Sequence, residues 1–244
     1  LKIGREIWKS QGNGLTTSMV LDINTNSTHA FDTNFENQRH LASVGTNFHF
    51  VADDGTTGYE IYKTDGTAAN TKRLTSSDKD IHTLIGTSST LFAVIYENPN
   101  YLLYRLNTTN NTLEKVGEQD IFVKVSGGDA RVAVSGANLY YQRASDDQVW
   151  VTGGANAGQV VTAGGVPVVG LNGYVLVNNI LNFGGTNGLY KISTAANLST
   201  EIKDTYTNSI SDATNLVSFK NTLYFIRPGD GDIWKVDAAG DRKS

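Results

Sequence analysis

Hydrophobic residues along this chain come in short runs rich in branched and aromatic side chains, separated by stretches of Gly, Asn, Asp, Ser and Thr. No window holds apolar residues at helical spacing over three turns, so the pattern predicts strands joined by turns and almost no helix. One phrase recurs within the runs, an aliphatic residue followed by an aromatic one, at Ile7-Trp8, Ile61-Tyr62, Leu103-Tyr104, Val149-Trp150, Leu189-Tyr190 and Ile233-Trp234. Successive aromatic members lie 40 to 54 residues apart, a period that belongs to four-stranded propeller blades. The pair is read as the third, anchoring strand of each blade.

Aligned on that pair, segments beginning at Leu41, Thr83, Val132, Val175 and Leu216 share one order of parts: apolar strand, tight turn, aromatic-rich strand, polar loop, anchor strand. The tips Gly45-Thr46, Gly136-Ala137, Asn178-Asn179 and Lys220-Asn221 carry residues that suit short hairpin connections. A fourth strand follows at about residues 17–23, 71–75, 112–116, 158–162 and 199–203. Strands such as Leu139-Tyr140-Tyr141 and Leu223-Tyr224-Phe225-Ile226 are apolar at consecutive positions, which implies covering layers on both faces. The expected fold class is all-β: a β-propeller of four-stranded antiparallel blades, five in number, its ring closed by the N-terminal strand. One anchor is then surplus, so the 244 residues form either one propeller domain with a displaced end or a fragment of a longer propeller.

Composition adds exclusions. A hydrophobic content of 39% over 244 residues supports a large core. With 18% charged residues and a net charge of -4, the broad positive surface that nucleic acid requires is missing. No run approaches the length of a membrane helix, so no membrane insertion is expected. Cysteine is absent, which removes disulfides, thiolate metal sites and a cysteine nucleophile. Richness in Asn, Thr, Ser and Gly fits a secreted or surface-exposed bacterial β protein, giving an expected location outside the cell or at its surface.

Propeller geometry would gather most of the 24 acidic residues into the loops of one face. That face favours cations or a basic partner, although Asp and Gly also fill turns for backbone reasons alone. Closing the ring would bring Asp53, Asp54, Asp230 and Asp232 near one another as a calcium site, since clustered carboxylates suit that ion. No EF-hand spacing is present, and no cofactor is required.

Binding candidates come from the loops. The longest irregular stretch, Asn24 to His40, holds His29, Asp32 and Glu36 and is the first candidate for recognition. Tyr96, Tyr101 and Tyr206 fall near loops, where a ring can stack on a sugar or bury in a protein partner. Trp8, Trp150 and Trp234 occupy the anchor position and are assigned to packing between blades. No catalytic motif stands out, and the expected inner strands, such as Leu41 to Val44 and Val175 to Val177, contain no carboxylate. The favoured function is therefore a non-enzymatic module that binds a glycan or protein ligand on its acidic loop face. The alternative is a five-bladed carbohydrate-active hydrolase, which needs two carboxylates about 5 to 9.5 Å apart.

The stretch from Ala52 to Thr75, ADDGTTGYEIYKTDGTAANTKRLT, resembles the ELWKSDGT-type repeats of large secreted or surface-attached bacterial proteins, with GREIWKSQGN from Gly4 as a second copy. Asp65, Gly66 and Thr67 match the Asp-Gly-Thr turn of that repeat, whereas Asn107-Thr108, Gly153-Gly154, Thr194-Ala195 and Asp237-Ala238 depart from it. The resemblance implies a scaffold or recognition module and carries over no catalytic residue.

Overall fold

The computed structural model describes residues 4–26, 29–31, 40–77, 79–121, 131–153, 158–192, 197–203, 208–211, 213–227 and 229–236. The chain forms two compact units, Leu1–Glu118 and Gln119–Ser244. The only helical element among the described residues is a 3-10 turn, Gly14–Thr16, and no helix there is long and apolar enough to cross a membrane.

The first unit opens with a two-stranded sheet, β1 (Ile7–Lys9) and β2 (Ser18–Leu21). A four-stranded sheet follows: β3 (Leu41–Val44), β4 (Asn47–Asp53), β5 (Tyr59–Thr64) and β6 (Lys72–Arg73). The next holds β7 (Asp80–Gly86), β8 (Leu91–Glu97), β9 (Asn100–Asn107) and β10 (Thr112–Asp120). In the second unit, β11 (Val132–Ser135), β12 (Asn138–Gln142), β13 (Val149–Gly153) and β14 (Gln159–Val160) form another four-stranded sheet. A short hairpin comes next, β15 (Thr162–Ala163) and β16 (Val166–Pro167). It joins β17 (Gly173–Val177), β18 (Ile180–Gly185), β19 (Gly188–Ile192) and β20 (Leu198–Ile202) in a six-stranded sheet. The last sheet has three strands, β21 (Thr214–Phe219), β22 (Thr222–Ile226) and β23 (Ile233–Val236). These up-and-down antiparallel sheets are propeller blades, and the fold is of the β-propeller class.

Hairpin tips adopt the expected geometry. Both residues of Asn178-Asn179 and of Lys220-Asn221 have positive φ, between 47° and 61°, as a two-residue turn matched to strand twist requires. The six-stranded sheet departs from the four-strand pattern because Gly164-Gly165, with φ of 59° and 84°, closes β15 and β16 into a hairpin. That hairpin extends the outer edge through a parallel β15–β20 pairing.

Hydrophobic clusters lie between consecutive sheets, and they explain the recurring pair. Ile61 packs with Ile81, Leu84 and Ile95 of the following sheet, whereas Tyr62 packs with Ile23, Ala30 and Phe50 toward β1 and β2. In the second unit Leu189 joins Leu223 and Phe225 of the following sheet, and Tyr190 joins Tyr140 and Val151 of the preceding one. The aliphatic member covers the next blade and the aromatic member the previous blade, because neighbouring residues of a strand face opposite sides. Each second strand adds a fully buried ring, Phe50, Phe92, Tyr140, Phe183 or Phe225.

Of the three tryptophans assigned to packing, Trp234 is buried and Trp150 half-buried, but Trp8 is 53% exposed. Ile7 packs onto the core of the next sheet, so the Trp8 ring is turned to the other face of β1. Ile233, 57% exposed, shows the converse on the following side of the last sheet.

Blades approach most closely through their first strands: β3 packs on β7 and β17 on β21. A Cβ at Gly86 would lie 2.1 Å from the Ser43 carbonyl oxygen, so only glycine allows that approach. Replacing Gly86 by Ala is expected to cost about 2 to 3 kcal/mol, the upper range for overpacking against backbone, read from the urea unfolding midpoint. Gly173→Ala, where a Cβ meets nothing within 4 Å, serves as the neutral control. Equal midpoints for the two variants would contradict the packing described.

Candidate functional site

The first unit presents an aromatic patch at one end of the β7–β10 sheet. Pairing places Asp80, Tyr96 and Tyr101 in one row across β7, β8 and β9, and directly paired residues share a face. Register then shifts between Ile81 and Thr83, leaving His82 as the extra residue of a β-bulge, a device that re-aims a side chain. The Tyr96 and Tyr101 rings lie 4.9 Å apart between centroids at 43°. The His82 ring meets Tyr101 edge-on at 4.8 Å and 70°.

Polar groups rim these rings. The Tyr96 hydroxyl donates to Asn98 Oδ1 at 3.1 Å, and His82 Nδ1 lies 2.8 Å from Thr83 Oγ1. Tyr96, Tyr101 and His82 are half-buried and Asp80 is exposed. Two fixed aromatic surfaces beside a carboxylate, an imidazole and an amide can stack against an apolar sugar face while bonding its hydroxyls.

Glu97, one residue beyond Tyr96, belongs to a separate network. It accepts from Lys79 at 2.9 Å and from the Tyr104 hydroxyl, and Lys115 lies 3.4 Å away. The Lys79 bond, then the Tyr104 bond, hold its carboxyl at a pKa of about 2. Lys79 also sits 4.9 Å over the Tyr104 ring. This network ties β8 and β9 to β10 and to the residue entering β7.

The other sequence candidates are placed differently. His29 accepts from the Arg5 backbone N–H at its Nδ1, 2.9 Å away; Asp32, Glu36 and Tyr206 lie outside the described residues. Asp53 and Asp54 belong to the first unit, Asp230 and Asp232 to the second. Asp53 accepts from the Gly55 N–H at 2.7 Å. Asp54 Oδ1 accepts from the N–H and hydroxyl groups of Thr56 and Thr57 at 2.7 to 3.0 Å, and Oδ2 accepts from Arg73 at 3.0 Å. Burial acts to raise the pKa of Asp54, but these bonds outweigh it and hold the carboxyl well below the usual carboxylate range.

Asp230 accepts from the Trp234 indole N–H at 3.2 Å and from the Asp232 N–H at 3.0 Å, while the Arg227 guanidinium lies 4.8 Å over the same indole. An earlier hairpin repeats this spacing: Arg143 bonds Asp146 and lies 4.6 Å over Trp150. Both acids thus close a hairpin around its anchor tryptophan. Among the described residues of either unit, no group of three or more His, Asp or Glu side chains is arranged to hold a metal ion.

Sequence reasoning found the two tyrosines but missed their neighbours. The segment aligned from Thr83 leaves Asp80 and His82 outside the expected strand; β7 instead begins at Asp80. A bulge leaves no mark in apolar alternation except one broken beat, here at His82-Thr83.

No protein-family model and no curated protein matches the chain. Solved structures do. A mutant of puromycin hydrolase is similar over 91% of this chain and 35% of its own, at 12% identity and a TM-score of 0.50. TolB from Acinetobacter baumannii is similar over 80% of this chain and 47% of its own, at 13% identity and a TM-score of 0.41. A gluconolactonase from Xanthomonas campestris is similar over 93% of this chain and 77% of its own, at 14% identity and a TM-score of 0.38. The chain thus spans about a third to a half of the first two proteins. At these identities the likeness is one of fold, the β-propeller.

The Glu97 network has a defined pH signature. Its folded pKa lies below the ordinary 4.5, so its stabilisation is fully present above about pH 4.5 and fades as pH falls toward 2. Glu97→Gln should lower the thermal midpoint by a constant amount above pH 5, with the gap to the parent chain closing by about pH 2. A gap that does not change with pH would contradict this assignment.

Proposed function

We propose that the chain is a non-enzymatic recognition module that binds a glycan on the Tyr96–Tyr101 patch, acting outside the bacterial cell or at its surface. The observation that carries this reading is the cross-strand tyrosine pair, 4.9 Å apart, with a bulged His82 against its edge. Ring against ring leaves little conformational freedom to lose on binding, which favours stacking of a rigid pyranose. Asp80 and His82 then supply directional bonds that a flat aromatic surface lacks.

The Asp65-Gly66-Thr67 turn has a structural part instead of a binding one. Asp65 Oδ1 accepts from the N–H and hydroxyl of Thr67 at 2.9 and 2.7 Å, and Oδ2 accepts from the Asn70 amide at 2.6 Å. Lys9 donates to the Gly66 carbonyl at 2.8 Å. The Asp-Gly-Thr turn is therefore a structural fastener. Calcium has no part in the proposal, since Asp53, Asp54 and Asp230 already accept bonds from their own turns and hairpins.

A glycan array probed with the full chain, followed by calorimetry on the strongest ligand, tests the reading. Tyr101→Ala is expected to weaken binding about tenfold or more, equivalent to about 1.4 kcal/mol, while Tyr101→Phe stays within about threefold because the ring is kept. A silent array, or a ligand indifferent to Tyr101→Ala, would remove the proposal.

A further inference from the structure

The second unit contains a cavity of about 290 Å³ that shares no lining residue with the aromatic patch. One wall is apolar and comes from the β15–β16 hairpin and the residue after it: Val166, Pro167 and Val168. Tyr190, Glu201 and Ser209 bring polar groups to the same lining, and Val168 packs in one hydrophobic cluster with Tyr190. Tyr190 and Glu201 are direct cross-strand partners on β19 and β20, so both side chains stand on the same face. The Tyr190 ring is fixed by stacking on Phe183 at 5.6 Å and 27°. Burial, then the Glu201 charge, raises the pKa of its hydroxyl, and the neutral phenol oxygen can accept a hydrogen bond.

Gly188 keeps the two polar groups open. A Cβ there would lie 3.0 Å from the Tyr190 hydroxyl and 3.2 Å from Glu201 Oε1, so a side chain at this position would crowd both groups. Lys203 pairs with Glu201 at 3.6 Å, but its side chain is half exposed, and such surface pairs are weak enough to be exchanged. A carboxylate in a partly water-excluded cleft beside an aromatic ring attracts a cation more strongly than one in bulk water. The apolar lining favours a ligand with a hydrocarbon body, and the volume, at the small end of ligand pockets, accommodates a six-membered ring.

We propose that this cavity binds a small organic amine, its ammonium between Glu201 and Tyr190 and its hydrocarbon body against Val166, Pro167 and Val168. The site is separate from the glycan patch, and each stands or falls by itself. Cyclohexylamine, cyclohexanol and cyclohexanecarboxylate, titrated against the full chain by calorimetry, share a ring and differ in charge. The amine is expected to bind at least tenfold more tightly than the alcohol, the carboxylate not at all, and the preference should shrink as salt is raised. Glu201→Gln should abolish the preference, and Gly188→Ala should weaken the amine while leaving every charge in place. Circular dichroism and thermal midpoints verify that both variants are folded, and the three-ligand comparison on the parent chain decides the matter even where a variant is not. Equal affinity for amine and alcohol, silence from all three, or an amine preference that survives in folded Glu201→Gln would overturn the proposal.

Discussion

Burial of each sheet on both faces is the constraint from which the rest of this structure follows. A sheet with one wet face needs only every second residue to be apolar; a blade between two others needs consecutive apolar residues on its middle strands. Covering a Leu, Ile, Val or Phe side chain contributes about 1.5 to 3 kcal/mol, and β4, with a sheet of its own unit on either side, buries Phe50, Val51 and Ala52 in succession. The aliphatic-aromatic pair is the local form of this rule, with Ile61 turned to one neighbour and Tyr62 to the other. The exposed Trp8 and Ile233 stand on the strand faces turned away from the packed Ile7 and Trp234.

With the strand interiors committed to packing, chemistry is left to strand ends and turns. Several carboxylates described there are already occupied: Asp54 and Asp65 cap their own turns, and Asp146 and Asp230 close hairpins beneath an arginine-covered indole. An acidic loop surface is therefore largely a by-product of how this chain makes corners. The Tyr96–Tyr101 patch is different, since its rings lie against each other and against His82 rather than inside a core. The second-unit cavity is different again, because an added hairpin leans over Tyr190 and Glu201.

Much of the architecture was legible in the residues. The period of the aromatic anchors, the Asn178-Asn179 and Lys220-Asn221 turns and the consecutive apolar runs all reappear in the structure. These are local signals, fixed by backbone geometry and by which face of a strand is covered. The β15–β16 hairpin was hidden because each strand has only two residues, too few to show alternation. Likewise the company of Tyr96 depends on a register shift at His82, and the partner of Asp230 is an indole N–H that its spacing from other acids does not suggest. Pairing across strands, not composition along them, decides which polar residues meet.

The central claim is that ligand recognition rests on the two paired tyrosines. The chain has 11 tyrosines, few enough for each to be assigned by substitution in a fluorotyrosine-labelled sample followed by fluorine NMR. Titrating the array-selected glycan into that sample should shift the Tyr96 and Tyr101 resonances together, with the buried Tyr62, Tyr140 and Tyr141 unmoved. Shifts confined to other tyrosines, with Tyr96 and Tyr101 unchanged at saturation, would contradict the account.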